Sequence, residues 1–214
     1  MKNLIENCTG VILAGGENSR MPVSKAFIKI DGEKIIEKNL RIMRSLFSEV
    51  FIVTNQPEDY VYLSAQLLGD VYDVRGPMTG IFTALLNSSN QWVFVSACDM
   101  PFINKDVISY AASMREGHDA VVLGTGKSAE PLFAFYSKRL ASSMEQGILS
   151  GKRGMKDFSD KKKVKYINKT DIKGFDPEAK SFINLNTPED IELYLQPQDR
   201  LKFKKAVRRE KCLV

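Results

Sequence analysis

The sequence predicts an α/β fold built on a mainly parallel, mixed sheet, and three observations predict it. Apolar runs of strand length alternate with helical periodicity through the first two-thirds of the chain. The first run, Val11-Ile12-Leu13-Ala14, opens directly into Gly15-Gly16 and a polar stretch ending on Arg20 and Lys25. Polar or glycine residues then stand at the ends of successive runs: Gly15-Gly16, Asn55, Asp73 and Asp99. In open parallel sheets ligands bind outside the carboxyl ends of the strands, so these positions converge on one site.

Each element has a local reason. Lys34–Phe47 places Ile36, Leu40, Met43 and Phe47 on one helical face. Glu49–Val53 reads as a buried strand ending at Thr54-Asn55, and Glu58–Leu68 as a weaker helix. Asp70–Val74 reads as a short strand leading into Gly76-Pro77-Met78-Thr79-Gly80, with Ile81–Leu86 helical beyond it. Trp92–Ala97 is the clearest strand and stops at Cys98-Asp99-Met100-Pro101, where the proline stiffens the turn. Asn104 caps a helix running to about Met114, with Val107, Ala111 and Met114 facing the core. Strands follow at Ala120–Leu123 and Pro131–Tyr136, and a helix at Lys138–Gln146. Lys161-Lys162-Lys163-Val164-Lys165 reads as a solvated edge or turn. Thr187-Pro188-Glu189-Asp190 is a helix start: a threonine cap, proline at the first position, and acids in the first turn.

Composition excludes several classes. The 214 residues hold no apolar run approaching the roughly 18 residues of a membrane span, and the first residues lack the apolar region of a signal peptide. A cytosolic protein is expected. Cys8, Cys98 and Cys212 are dispersed, with neither a disulfide framework nor zinc-ligand spacing. His118, the single histidine, has no nucleophile motif beside it. The net charge of +5 is carried by the end of the chain. Residues 200–214 hold seven Lys or Arg against one Glu, +6 in all, which leaves the rest at −1. The basic balance therefore describes a tail, residues 197–214, following one domain at residues 1–196. Nucleic acid is not expected as a partner.

The candidate site residues are chosen for phosphate chemistry. Adjacent glycines let backbone N–H groups close around an anion. Arg20 offers a bidentate fork and Lys25 a mobile ammonium. The loop is neither a P-loop nor a dinucleotide fingerprint. Asp99, at a strand end, suits Mg²⁺, which takes oxygen donors and usually one or two protein carboxylates. Asn55 has an amide for a base edge or a ribose, and Asp73 either accepts from a base or pairs with Arg75. Asn184 and Asn186 flank Leu185 with the spacing that, on a strand, sets both amides on one face.

Five stretches together resemble the molybdenum cofactor guanylyltransferase family. They are Leu13-Ala14-Gly15-Gly16 with Arg20-Met21 and Lys25; Gly76-Pro77-Met78-Thr79-Gly80-Ile81; Ala97-Cys98-Asp99-Met100-Pro101-Phe102; Glu130-Pro131-Leu132-Phe133-Ala134; and Asn184-Leu185-Asn186-Thr187-Pro188-Glu189-Asp190. The resemblance runs from Thr9 to Leu195 and implies a Rossmann-like three-layer nucleotidyltransferase fold. It implies GTP as substrate, Mg²⁺ as cofactor and molybdenum-loaded molybdopterin as acceptor. By position it implies that Leu13, Ala14 and Gly15 contact the nucleotide, that Lys25 contacts phosphate, that Asn55 and Asp73 hold GTP, and that Asp99 is the metal ligand. Lys25, Asp99 and Arg20 are the residues expected to carry catalysis. Implied partners are molybdenum cofactor biosynthesis proteins or molybdoenzyme chaperones, and the implied state is a monomer.

The chain departs from the family pattern at Asn18, Pro22, Ser24 and Ala97. Pro22 removes a backbone donor near the phosphates, and Ser24 removes an acid beside Lys25. Two other functions are weighed against guanylyl transfer. One is a cytidylyltransferase or other sugar or cofactor nucleotidyltransferase of the same superfamily, against which Gly15 and Gly76-Pro77 speak. The other is a non-catalytic nucleotide-binding module.

Overall fold

The computed structural model describes residues 4–15, 25–124, 129–152, 154–155, 162–195, 197, 200 and 203. Nine strands and five α-helices lie among them: β1 (Cys8–Leu13), β2 (Lys29–Ile30), β3 (Glu33–Lys34), α1 (Ile35–Leu46), β4 (Glu49–Val53), β5 (Gln66–Leu68), α2 (Pro77–Asn87), β6 (Trp92–Ala97), α3 (Lys105–Ser113), β7 (Ala120–Leu123), β8 (Glu130–Ser137), α4 (Ala141–Leu149), β9 (Val164–Ile167) and α5 (Pro188–Tyr194). Seven strands form one sheet in the order β5-β4-β1-β6-β8-β7-β9. β1 pairs in parallel with both β4 and β6. β8 alone is reversed, antiparallel to both β6 and β7.

Strand alternation sorts the core into two layers. Ile12, Ile52, Phe94, Val121 and Phe135 face Ile36, Leu40 and Met43 of α1 and Val107 and Ala111 of α3. Val11, Val53, Val93, Val95, Val122 and Ala134 face Met78, Ile81, Phe82 and Leu85 of α2 and Met144 and Ile148 of α4. Helices thus cover both faces, and the strands are apolar on both sides, as a buried parallel sheet requires. A third, smaller cluster joins Ile28 and Ile30 near the β2–β3 hairpin to Leu185 and to Ile191 and Leu195 of the α5 region.

Several expectations are corrected. Residues 58–68 form no α-helix: two short 3₁₀ turns, Pro57–Asp59 and Val61–Leu63, precede β5. The strand therefore lies at Gln66–Leu68, and 70–74 is not a strand. Only three residues pair, so the apolar signal of β5 was too short to stand out beside Val71-Tyr72. α2 begins at Pro77, taking in Met78, Thr79 and Gly80, because proline is favoured in a first helical turn. α4 begins at Ala141, after a 3₁₀ turn at Lys138–Leu140. The lysine run leads into β9, which pairs in parallel with β7 at the sheet edge, where lysines are tolerated. The β2–β3 hairpin, not anticipated, turns at Asp31-Gly32, both at positive φ (54° and 85°), the signature of an Asp-Gly turn. The caps at Asn104 and Thr187 form as read from the sequence: Asn104 accepts from the N–H groups of Asp106 and Val107, and Thr187 and Asp190 make a reciprocal capping box.

Candidate active site

Chain direction creates the site. From β1 the connections run outward to β4 and β5, then return across β1 to β6. The strand order reverses at β1, and a crevice opens at the carboxyl ends of β1 and β6. Two backbone bonds lace the end of β1 to its neighbours: Ala14 N–H to the Val53 carbonyl (2.8 Å) and Cys98 N–H to the Leu13 carbonyl (3.0 Å). Leu13 and Ala14 are buried, whereas Gly15 is exposed, and among the described residues no atom lies within 4 Å of where its Cβ would stand. Packing against the described residues therefore does not demand a glycine at this position. Gly16 and Arg20 lie outside the described residues.

Lys25 is the hub. Its Nζ donates to Asp99 Oδ2 at 3.2 Å and to Asn186 Oδ1 at 3.1 Å. The Lys25 and Asp99 side chains are each only 18 % exposed, so the pair is partly shielded from solvent. The three residues come from the segment before β2, the end of β6 and the segment before α5. Each is held from behind. The Asp99 carbonyl accepts from Leu185 N–H at 3.0 Å. The capping carboxylate of Asp190 takes the N–H groups of Asn186 (3.0 Å) and Thr187 (2.8 Å). Those backbone donors pull the Asp190 carboxyl below its usual range, and the Lys25 charge adds to the effect. Asp99 Oδ1 has no hydrogen-bond partner among the described residues.

Asn184 and Asn186 do not lie on a strand; residues 183–186 are irregular. The alternation still holds, because Leu185 is fully buried between them. Asn186 reaches Lys25, while Asn184 Nδ2 donates to Glu130 Oε2 at 2.6 Å. Glu130 opens the reversed strand, which brings it to the carboxyl edge of β6. Burial, with the Asp99 charge adding, pushes the Glu130 carboxyl up, against the hydrogen bonds from Asn184 and Leu132 N–H. The contact of Glu130 with Asn184 was not read from the sequence; the reversal of β8 brings it there.

On the other side of β1, Asn55 and Asp70 bond reciprocally: Asn55 Nδ2 to Asp70 Oδ2 at 2.8 Å, and Asp70 N–H to Asn55 Oδ1 at 3.0 Å. Burial raises the Asp70 carboxyl, opposed by the Asn55 hydrogen bond. Asp73 is exposed, three residues further on in a bend. The partner of Asn55 is thus Asp70, and its signal in the sequence was the Leu67-Leu68-Gly69 run immediately before it.

Other groups drop out of the chemistry. The Cys98 thiol is pushed up to about 12 by burial and by the Asp99 charge, which makes it a poor nucleophile. His118 Nδ1 lies 3.0 Å from the Met114 carbonyl at the amino end of β7, opposite the site. No helix among the described residues is long and apolar enough to cross a membrane.

The residues at the site suit Mg²⁺. Among the described residues Asp99 Oδ1 has no partner, and Asn184 Oδ1 is buried without one. Hard oxygen donors from one or two side chains are what this ion takes from proteins that also bind phosphates. No group of three or more His, Cys, Asp or Glu gathers among the described residues, so a protein-only metal cage is not built there.

Comparison with known proteins gives the family. Residues 10–165 match the family model described as the MobA-like NTP transferase domain. A probable molybdenum cofactor guanylyltransferase of Peptoclostridium acidaminophilum is 35 % identical over 195 residues, covering 88 % of each chain. A molybdenum cofactor guanylyltransferase of Desulfosudis oleivorans is 36 % identical over 186 residues, 86 % of this chain and 92 % of that one. The crystal structure of molybdopterin-guanine dinucleotide biosynthesis protein A from Archaeoglobus fulgidus superposes with a TM-score of 0.76 at 28 % identity, over 87 % of this chain and 96 % of that one. The 4-diphosphocytidyl-2C-methyl-D-erythritol synthase of Anaerococcus prevotii, 18 % identical with a TM-score of 0.64, shares the fold. With the matching model covering most of its length, this chain belongs to the MobA-like NTP transferase family, alongside the molybdenum cofactor guanylyltransferases.

Proposed function

We propose that this protein transfers GMP from GTP to molybdenum-loaded molybdopterin, releasing pyrophosphate and forming the guanine dinucleotide form of the cofactor. The observation that carries the proposal is the Lys25–Asp99–Asn186 constellation at the switch point of the sheet. The relatives named as guanylyltransferases support it.

The acceptor's terminal phosphate attacks the α-phosphorus of GTP in line. A phosphate monoester, with a second pKa near about 6, is largely dianionic at neutral pH, so no strong general base is needed. That agrees with His118 standing at the far end of the sheet. The chain's task is positioning and charge neutralisation. The backbone of Leu13, Ala14 and Gly15 cradles the nucleotide, and Lys25 with Arg20 takes charge on the departing pyrophosphate. Asn55 and Asp70 present an amide and a carboxylate toward the donor edge of guanine, with Asp73 beside them. Asp99 would hold Mg²⁺, with the Asn184 amide oxygen a further donor. The ion, when bound, supplies neutralisation of phosphate charge. The nucleotidyltransferase domain spans residues 1–196. The protein acts as a cytosolic monomer, with proteins of molybdenum cofactor biosynthesis or molybdoenzyme chaperones as partners.

The test is pyrophosphate release from each of the four NTPs, with Mg²⁺, with and without molybdenum-loaded molybdopterin. Acceptor-dependent release from GTP alone is expected. Release from CTP would make the enzyme a cytidylyltransferase, and nucleotide binding without any release would make it a binding module. Asp99→Ala is expected to fold normally and to lose transfer by roughly 10²–10³-fold or more. Near-normal turnover in that variant would remove Asp99 from the reaction.

A further inference from the structure

The inward face of α1 is apolar: Ile35, Ile36, Leu40, Met43 and Leu46 are all buried. Asn39 lies in the same face with no exposed surface. A leucine of similar shape would pack there without desolvating an amide. The amide makes one contact across 61 residues: its Nδ2 donates to the Met100 carbonyl at 3.0 Å. Its Oδ1 has no partner.

Buried side-chain polar atoms without a partner are three among the described residues: Asn39 Oδ1, Ser96 Oγ and Asn184 Oδ1. They are not scattered through the core. Ser96 stands three residues before Asp99 on β6. Asn184 precedes Leu185, whose N–H holds the Asp99 carbonyl. Asn39 holds the next carbonyl, that of Met100. Unpaired buried polar atoms are rare in native structures and call for an explanation. Here all of them adjoin the loop that carries Asp99.

Two successive carbonyls of that loop are therefore gripped from different elements. Leu185 takes the Asp99 carbonyl, and Asn39 takes the Met100 carbonyl. Met100 is itself fully buried and Pro101 follows it, so its carbonyl lies beyond the β6 ladder. Together the two bonds hold the peptides on either side of Met100, the first of which adjoins the Asp99 Cα, whose carboxylate meets Lys25.

We propose that Asn39 is a positioning residue for Asp99: a buried amide on α1 that holds the metal-binding carboxylate in register with Lys25 while touching neither nucleotide nor acceptor. The inference rests on the reading that Asp99 acts in guanylyl transfer through a divalent cation.

The test compares wild type, Asn39→Leu, Asn39→Ala and Asp99→Ala. Three quantities are read: thermal unfolding, Mn²⁺ affinity by electron paramagnetic resonance of the free ion, and kcat and KM for GTP measured separately. Misplacing a reacting group by about 1 Å costs up to about 10²-fold in rate. Asn39→Leu is expected to lose at least about tenfold in kcat and about fivefold in Mn²⁺ affinity. Its KM for GTP stays within about twofold, because the Leu13–Gly15 backbone and the Asn55–Asp70 pair are untouched. Asn39→Ala follows the same pattern and stands in if leucine does not pack. A folded Asn39 variant with wild-type kcat and Mn²⁺ affinity, whatever its melting temperature, would overturn the proposal. So would the failure of both variants to fold, since the bond would then be structural. Equal Mn²⁺ binding by wild type and Asp99→Ala would overturn both Asn39's role and the metal role of Asp99. A wild type that transfers no GMP, with Mn²⁺ affinity still lost in Asn39→Leu, would reject the reaction and retain the positioning role.

Discussion

At the scale of single residues, the carboxylates divide by what surrounds them. Glu130 and Asp70, at the ligand edge of the sheet, are raised by burial. Glu49, at the opposite edge, shifts the other way. Burial works against its ionised form, but the hydroxyls of Thr9 and Ser89, the Ser89 N–H and the Asn90 amide outweigh it and hold the carboxyl below its usual range. The Thr9 hydroxyl donates at 2.5 Å and that of Ser89 at 3.0 Å. A carboxyl lowered on folding contributes stability above its unfolded pKa, near about 4.3, and that contribution is lost as pH falls through the folded value. Glu49→Gln is therefore expected to cost about 1 kcal/mol at pH 7. The gap to wild type should shrink between about pH 5 and pH 3. Urea unfolding of both proteins at pH 7, 5 and 3 checks this; a gap that widens in acid would contradict the sign.

At the scale of elements, two glycines of β1 and its loop serve opposite ends. A Cβ on Gly10 would sit 2.6 Å from Phe47 Cδ2. Phe47 is buried and stacks on Phe94 at 5.7 Å, so it has little room to move. Gly10→Ala is expected to cost about 1–3 kcal/mol through overpacking. A Cβ on Gly15 meets none of the described residues. Gly15→Ala should leave stability within about 0.5 kcal/mol, as an exposed substitution does, and should weaken GTP binding by crowding the approaching nucleotide. Denaturation and GTP titration of the two variants separate the roles. A destabilised Gly15→Ala or a neutral Gly10→Ala would contradict this division of roles.

At the scale of the whole molecule, the basic tail is not wholly separate from the domain. Phe203 packs against the third cluster beside Phe102, Ile183 and Tyr194, and Arg200 Nε donates to the Leu195 carbonyl at 3.0 Å. Removing residues 197–214 should therefore lower the melting temperature by a few degrees, about what 1–2 kcal/mol corresponds to in a domain this size. Removing residues 204–214, which hold five of the tail's seven Lys or Arg, keeps Arg200 and Phe203 and should retain their part of the stability. Thermal unfolding of both truncations decides whether the domain ends near residue 196 or near Phe203.

What the sequence determined by itself is what neighbouring residues control. The apolar run and the glycines of β1, the β6 strand with Asp99 at its end, and the caps at Asn104 and Thr187 all depend on contacts within a few positions of the chain. The placing of a site at the carboxyl ends of the strands followed from the alternation of strand and helix. Tertiary structure alone decided what depends on distant partners. Lys25 meets Asp99 across 74 residues and Asn186 across 161. Asn55 meets Asp70 because β5 ends just before it and beside β4. Reversal of β8 carries Glu130 to the site, and the Met100 carbonyl gives the buried Asn39 side chain its one hydrogen bond among the described residues. Periodicity records which face of an element is buried, but hydrogen-bond partners that far apart in sequence are set only when the strand order and helix packing are complete.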